Sequence, residues 1–156
     1  MPTLDTDDLK FTRLSVVHQE DIYKFLADIF SKEQNIPTEM IPIQGDKVYW
    51  WGILGTKQEI LGAVAIWKEM ESWHWGRFSI HPKIRGRGLG RELAILSFSE
   101  AFKLNIQSIV IDARDKVVGL VESLGGVVCG ETTPFFSGNI TPMKLERESF
   151  VPNDQN

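Results

Sequence analysis

Cysteine is almost absent from the 156-residue chain: Cys129 stands alone. An intrachain disulfide framework and a cysteine-rich zinc site are thereby excluded, and no Asp, Glu or His spacing suggests any other metal site. Positive charge is not in excess either. Lys and Arg number 17 against 21 Asp and Glu, a net charge of −4, so a general nucleic-acid binder is not expected. No run approaches the ~18 consecutive apolar residues of a membrane-spanning helix. The opening MPTLDTDDLK has neither the basic nor the apolar stretch of a secretory signal. The expectation is a cytoplasmic protein without membrane association. Hydrophobic residues at 42% and charged residues at 24% suit a folded globular chain. Without a long linker, repeat or low-complexity tract, residues 1–156 read as one domain, ending in a flexible tail from about residue 150.

The hydrophobic pattern lays out the elements. Residues 11–17 read as a strand and 18–31 as a helix, with Ile22, Phe25, Leu26, Ile29 and Phe30 at helical spacing. Residues 33–47, holding Pro37, Pro42 and Gly45, read as loop or short helix. Residues 48–54 and 59–67 form an antiparallel hairpin around Gly55-Thr56-Lys57-Gln58. Residues 75–80 form another strand, stopped by Pro82. The helical period returns over 89–103. The apolar run at 108–111 has the pattern of an interior parallel strand. A second helix over 116–124 is stopped by Gly125-Gly126. Residues 127–131 and 141–148 are expected final strands, with a loop at Pro134-Phe135-Phe136-Ser137-Gly138-Asn139 between them. This order predicts an α/β fold, a three-layer arrangement of one mixed sheet with helices on both faces.

One segment carries chemistry: Ser79-Ile80-His81-Pro82-Lys83-Ile84-Arg85-Gly86-Arg87-Gly88-Leu89-Gly90-Arg91. A strand feeds a turn rich in glycine and arginine that opens directly into a helix. Such a turn gathers backbone N–H groups around an anion, and its glycines permit close approach and unusual dihedrals. Arg85, Arg87 and Arg91 are placed to meet phosphates, which points to a phosphate or diphosphate at a helix N-terminus. A P-loop would need Gly-Lys-Ser/Thr, which is missing. Gly86, Gly88 and Gly90 have the wrong spacing, in mid-chain, for a dinucleotide fold.

Arg85-x-x-Gly88-x-Gly90, preceded by Ile80-His81-Pro82, resembles the Arg/Gln-x-x-Gly-x-Gly/Ala signature of the GNAT superfamily of acyl-CoA-dependent N-acetyltransferases. The likeness runs from about residue 11 to 145. Phe30-Ser31-Lys32-Glu33-Gln34 and the stretch from Gly138 to Met143 are similar to those of the ElaA-type group within it. The resemblance implies a GNAT-like fold and acetyl-CoA as cosubstrate. The amides of Arg85, Gly86, Arg87, Gly88, Leu89 and Gly90 would hold its pyrophosphate, with Arg91 adding charge. Phe78, Ser79 and Ile80 would meet pantetheine, and residues 111–113, with Asp112 at their centre, would flank the opening.

It further implies direct attack of an amine on the acetyl thioester, in a ternary complex. The acceptor, a small-molecule or peptide amine, must first lose a proton. Candidate bases are His74, Glu69 and Glu71. His74 matches by spacing the carboxylate base of the superfamily's histone-modifying branch, and an imidazole titrates near neutrality. The superfamily's acid is a Tyr four residues before the Gly of a Gly-Phe pair. Here those positions hold Val121 and Gly126, and Val121 has no proton to donate. This departure supports an alternative, a non-catalytic acyl-CoA-binding or regulatory protein.

Other features bear on the acceptor. Trp73 and Trp75 straddle His74 on one side of an extended segment, as a wall for an acceptor, a dimer contact or plain packing. Phe135 and Phe136 read as an exposed contact, closing over the acceptor or joining another subunit. Cys129, beside Val127 and Val128, reads as a small packed hydrophobe. An exposed hairpin edge and the aromatic content are compatible with a homodimer.

Overall fold

Ile22, Phe25, Leu26, Ile29 and Phe30 recur at the spacing of one helix face. In the computed structural model, which describes residues 6–43 and 47–152, all five are buried on helix α1 (Gln19–Gln34). The helix outlasts its expected end at Ser31. Asn35 takes the left-handed conformation (φ 56°) and sends its N–H to the Phe30 carbonyl, which closes the last turn. Residues 1–5 of the opening stretch, Gly45 of the expected loop and residues 153–156 of the expected tail lie outside the described residues.

Strand β1 (Lys10–Leu14) is shorter than the expected 11–17, because Val16–His18 forms a 3-10 turn. The Ser15 amide donates to His18 Nδ1 at 3.2 Å, and Val16 and Val17 are left exposed. β2 (Lys47–Leu54), β3 (Ile60–Glu69) and β4 (Ser72–Ile80) form an antiparallel meander on β1. β4 begins earlier than expected, so His74 lies within a strand. β5 (Ser108–Arg114) is parallel to β4 and antiparallel to β8 (Gly138–Glu146), and β6 (Val127–Val128) and β7 (Thr133–Phe135) both pair with β8.

Helices cover both faces of this mixed sheet. Alternation sends Trp50 and Trp51 to opposite sides. Trp51, Val64, Ile66, Trp75, Ile109 and Ile111 pack with α2 (Leu89–Lys103) and α3 (Asp115–Ser123). Trp50, Ala63, Ala65 and Trp67 pack beneath α1. The large indoles are satisfied as well as buried: Trp51 Nε1 donates to Glu100 at 2.7 Å and Trp75 Nε1 to Ser97 Oγ at 2.8 Å.

The C-terminal third departs most from expectation. The expected strand at 127–131 shrinks to two residues, and Cys129 is exposed rather than packed. The expected loop at 134–139 is a hairpin: Phe135 pairs with Gly138 across a turn in which Phe136 has φ 52°. Phe150 and Val151, expected in the tail, are instead held by the domain. Phe150 packs its ring against Phe98 and Phe102, and the Val151 amide donates to the Leu124 carbonyl at 2.8 Å. Gly125 permits this approach, because a β-carbon there would overlap the Ser149 carbonyl. Phe150→Ala is therefore expected to destabilise the fold by about 1–3 kcal/mol in urea denaturation, as loss of a partly buried ring does. A change within about 0.5 kcal/mol would mark an unpacked tail.

Candidate active site

Beyond β4 the ladder ends on the His81 amide, which donates to the Leu61 carbonyl at 2.8 Å. Pro82–Ile84 forms a 3-10 turn anchored by the fully buried Ile84. His81 Nδ1 accepts from the Lys83 amide at 3.1 Å. Desolvation, then the cations of Lys83 and Arg85, hold the imidazole below its ordinary pKa, so at neutral pH this histidine caps a turn in its neutral form. Gly86 (φ 82°) and Gly88 (φ 76°) then take the left-handed conformation, and a β-carbon on either would meet nothing within 4 Å. The loop is thus open above both glycines. The N–H groups of the first turn of α2 lack intrahelical acceptors, as at any helix N-terminus, and suit an anion. Gly90 serves packing instead. A β-carbon there would come within 3.1 Å of Phe78 Cζ, so its absence lets α2 lie close against β4.

The arginines are more engaged than their spacing suggests. The Arg85 amide closes the 3-10 turn on Pro82 O at 3.3 Å, and its Nε donates to Ile80 O at 2.8 Å. Its Nη2 reaches both oxygens of Glu33 at the end of α1, at 2.9 and 3.1 Å. The pair is well exposed, and such pairs contribute about 0–1 kcal/mol; its role is to tie α1 to the loop. Arg91 Nη1 donates to Ser123 Oγ at 2.6 Å, joining α2 to α3. Arg87 stands half-buried on the loop, and Leu89 is a core residue that offers only its backbone.

A break in the sheet forms the rest of the site. β4 and β5 pair from Trp73 with Ile109 to Trp75 with Ile111, and their pairing stops there. Across β3, Ala65 faces Gly76 but Ala63 faces Ser79, so β4 carries one extra residue, with Arg77 at φ 58°. A bulge of this kind bends its strand. A groove of about 410 Å³ lies between Phe78, Ser79 and Ile80 on one side and residues 114–117 on the other. A second cavity of about 200 Å³ reaches from the break to His74, Trp67 and Phe135. Gln34, Phe78, Arg114 and Val117 line both. Two buried polar atoms here have no hydrogen-bond partner: Gln34 Oε1 at the junction and Ser79 Oγ on the larger groove. Orphans of this kind mark places where a ligand or water completes the structure.

His74 borders the smaller cavity, with its ring stacked on Trp67 at 5.6 Å between centroids. Arg77 covers the same indole at 5.3 Å and donates to the carbonyls of Ile41 at 2.8 Å and Met40 at 3.1 Å. Burial lowers its pKa, while Tyr23 and Glu69 oppose the shift. Glu69 accepts from Trp67 Nε1 at 3.3 Å; both it and Glu71 are exposed near the β3–β4 turn, and neither lines either of these two cavities. Asp112, expected beside the cofactor groove, instead borders the smaller cavity. The ring beside His74 is Trp67, from β3; Trp73 stacks on Tyr49 on the other face. Phe135 reaches the cavity while Phe136 stays exposed. Val121 is fully buried, and a β-carbon on Gly126 would overlap its side chain. Neither Tyr23 nor Tyr49 lines either of these two cavities. Among the described residues no cluster of His, Cys, Asp or Glu suits a metal ion. Arg114 went unmarked by any sequence pattern, and Trp67 stood out only as one of five tryptophans clustered on the hairpin and the next strand, since their place in the site arises only when β3 and β5 meet the break. Gln34 was marked only by the likeness of the segment from Phe30.

Solved structures share this architecture. ElaA from Escherichia coli matches with a TM-score of 0.76 at 19% identity, over 88% of this chain and 99% of that one. An acyl-CoA N-acyltransferase from Pseudomonas aeruginosa matches with a TM-score of 0.76 at 15% identity, over 87% and 98%. Spermidine N-acetyltransferase from Vibrio cholerae, solved in complex with CoA and spermine, matches with a TM-score of 0.68 at 17% identity, over 92% and 98%. At these identities the likeness is one of fold. No curated protein matches the sequence. Residues 19–125, more than half of the chain, match the acetyltransferase (GNAT) family, and with the glycine loop opening α2 and the break between β4 and β5, the chain belongs to that family of acyl-CoA-dependent acyltransferases.

Proposed function

We propose that the protein transfers the acetyl group of acetyl-CoA to a primary amine by direct attack in a ternary complex. The observation that carries this reading is the meeting of two cavities at Gln34, Phe78, Arg114 and Val117. One leads from the glycine loop side and the other from His74, so two substrates can enter from different sides and touch at one point.

The residues present fit acetyl-CoA. The open space above Gly86 and Gly88 and the free amides opening α2 suit a diphosphate. Arg87 and, on release from Glu33, Arg85 add positive charge beside it. The groove past Phe78, Ser79 and Ile80 suits pantetheine, whose amides need polar partners when buried, and Ser79 Oγ is one without a partner of its own. Bound there, acetyl-CoA supplies an activated thioester acyl group.

The chain's own part is positioning and proton transfer. His74 is the base in this reading, taking a proton from the amine so that a neutral nucleophile faces the junction. Glu69 and Glu71 are left aside because neither lines the two cavities that meet at the junction. The leaving thiolate has no tyrosine to protonate it, since Val121 is sealed in the core. Val121 also favours a second reading, an acyl-CoA-binding protein without turnover. Release of free thiol with an amine panel separates the two.

Two variants test the parts. Gly88→Trp strains a left-handed residue and fills the open loop; in calorimetry it should weaken acetyl-CoA binding by about 100-fold or more, about 2.7 kcal/mol. Unchanged affinity in a folded variant would remove the loop from the cofactor site. His74→Ala should lower kcat by about 10²–10⁴, the range for a lost general base, with acetyl-CoA affinity unchanged. The loss should be largest at low pH, where the substrate ammonium is hardest to deprotonate. A loss that is the same at every pH would assign the proton transfer to another group.

A further inference from the structure

The acceptor cavity carries information about its ligand. Its lining holds five Phe and Trp residues, from four separate elements: Phe30 of α1, Trp67 of β3, Trp75 and Phe78 of β4 and Phe135 of β7. Its charges are few and of mixed sign. Asp112 is the one carboxylate in its lining, against the guanidinium groups of Arg77 and Arg114. Both guanidiniums are fixed: Arg77 by the carbonyls of Met40 and Ile41, and Arg114 by the Phe135 carbonyl at 2.8 Å, with its carbon 5.3 Å from that ring's centroid. Two immobile cations beside one carboxylate repel a molecule bearing several ammonium groups. The volume of about 200 Å³ is below that of sites for drug-sized ligands, so it suits about one ring and a short chain. At the inner end, where the two cavities join, Gln34 Oε1 is buried without a donor, and a buried acceptor favours a ligand that brings an N–H.

We propose that the acceptor is a small primary amine with a flat apolar body, of the arylalkylamine kind. Its ring lies among Phe30, Trp67 and Phe135, and its nitrogen donates to Gln34 Oε1, in the cavity that His74 also borders. Polyamines and lysine side chains of peptides are poor acceptors. This rests on the acetyl-transfer reading above and adds to it the class of amine.

The test uses the full chain with acetyl-CoA and three amines: phenethylamine, spermidine and a lysine-containing peptide. Thiol release should give phenethylamine a kcat/KM at least about tenfold above the other two, the size of preference one pocket contact gives. Phe135→Ala should raise KM for phenethylamine about tenfold and leave acetyl-CoA affinity unchanged, and Gln34→Leu should lower its kcat with the same affinity retained. Equal or better turnover of spermidine or the peptide overturns the proposal. So does a Phe135→Ala variant with unaltered KM, or a Gln34→Leu variant that weakens acetyl-CoA binding instead, which would give Gln34 to pantetheine. If acetyl-CoA binds but no amine is turned over, the acetyl-transfer reading fails by itself. The cavity is then tested by titrating phenethylamine into CoA-loaded protein and following tryptophan fluorescence. Saturable quenching that Phe135→Ala weakens supports the aromatic site, and its absence overturns it.

Discussion

Strands β4 and β5 hold each other through three registered pairs and then lose contact, and the site exists because of that loss. Two features of the chain enforce it. The extra residue in β4 around Arg77 breaks its register on β3 and bends the strand. Pro82 and the left-handed glycines then turn the backbone into α2, which Gly90 lets settle against Phe78. A parallel pair kept together to the end would bury its amides in a ladder and leave no groove. Parted, the same strands leave room for a polar, amide-rich ligand in the middle of a sheet that is otherwise fully packed.

Helix α1 converts the gap into a site with two sides. Its last turn, closed by Asn35, carries Glu33 and Gln34 over the opening. Glu33 holds Arg85 of the glycine loop, and the Asn35 side chain donates to Ser137 of the β7–β8 turn at 2.6 Å. Arg77, from the bulge itself, holds the carbonyls that follow α1. Separate pieces of chain are thus tied to one another around the junction by polar contacts, while Trp67 lines the smaller cavity beyond it. Such ties on an otherwise apolar cavity fix orientation more than they add stability, since each exposed pair contributes little.

Val121 and Gly126 show how one local choice propagates. Where the superfamily pattern holds a tyrosine and a phenylalanine, this chain buries a valine completely and leaves no room for a β-carbon on the glycine beyond it. The core closes there, and the phenol function disappears. Phe150, returning from the C-terminal segment, fills space beside Phe98 and Phe102 on the same side of the sheet.

What the sequence determined by itself was local. The strand-to-helix loop was legible from Arg85, Gly88 and Gly90 because left-handed dihedrals, free amides and a helix start are properties of a few adjacent residues. Helices α1 and α2 and the β2–β3 hairpin were legible for the same reason, through periodicity and turn chemistry. The tertiary structure alone decided which residues share a cavity. Gln34, Trp67, His74, Arg114 and Phe135 meet because α1, β3, β4, β5 and β7 converge on the break, and no spacing records that convergence. It also decided which charges were already taken, turning Arg85 to Glu33 and Arg91 to Ser123, because a partner distant in sequence leaves no trace in local pattern. Glu69 and Glu71 had a suitable chemistry and a nearby position, yet a strand advances about 3.3 Å per residue and the β3–β4 turn carries them away from the cavity that His74 borders.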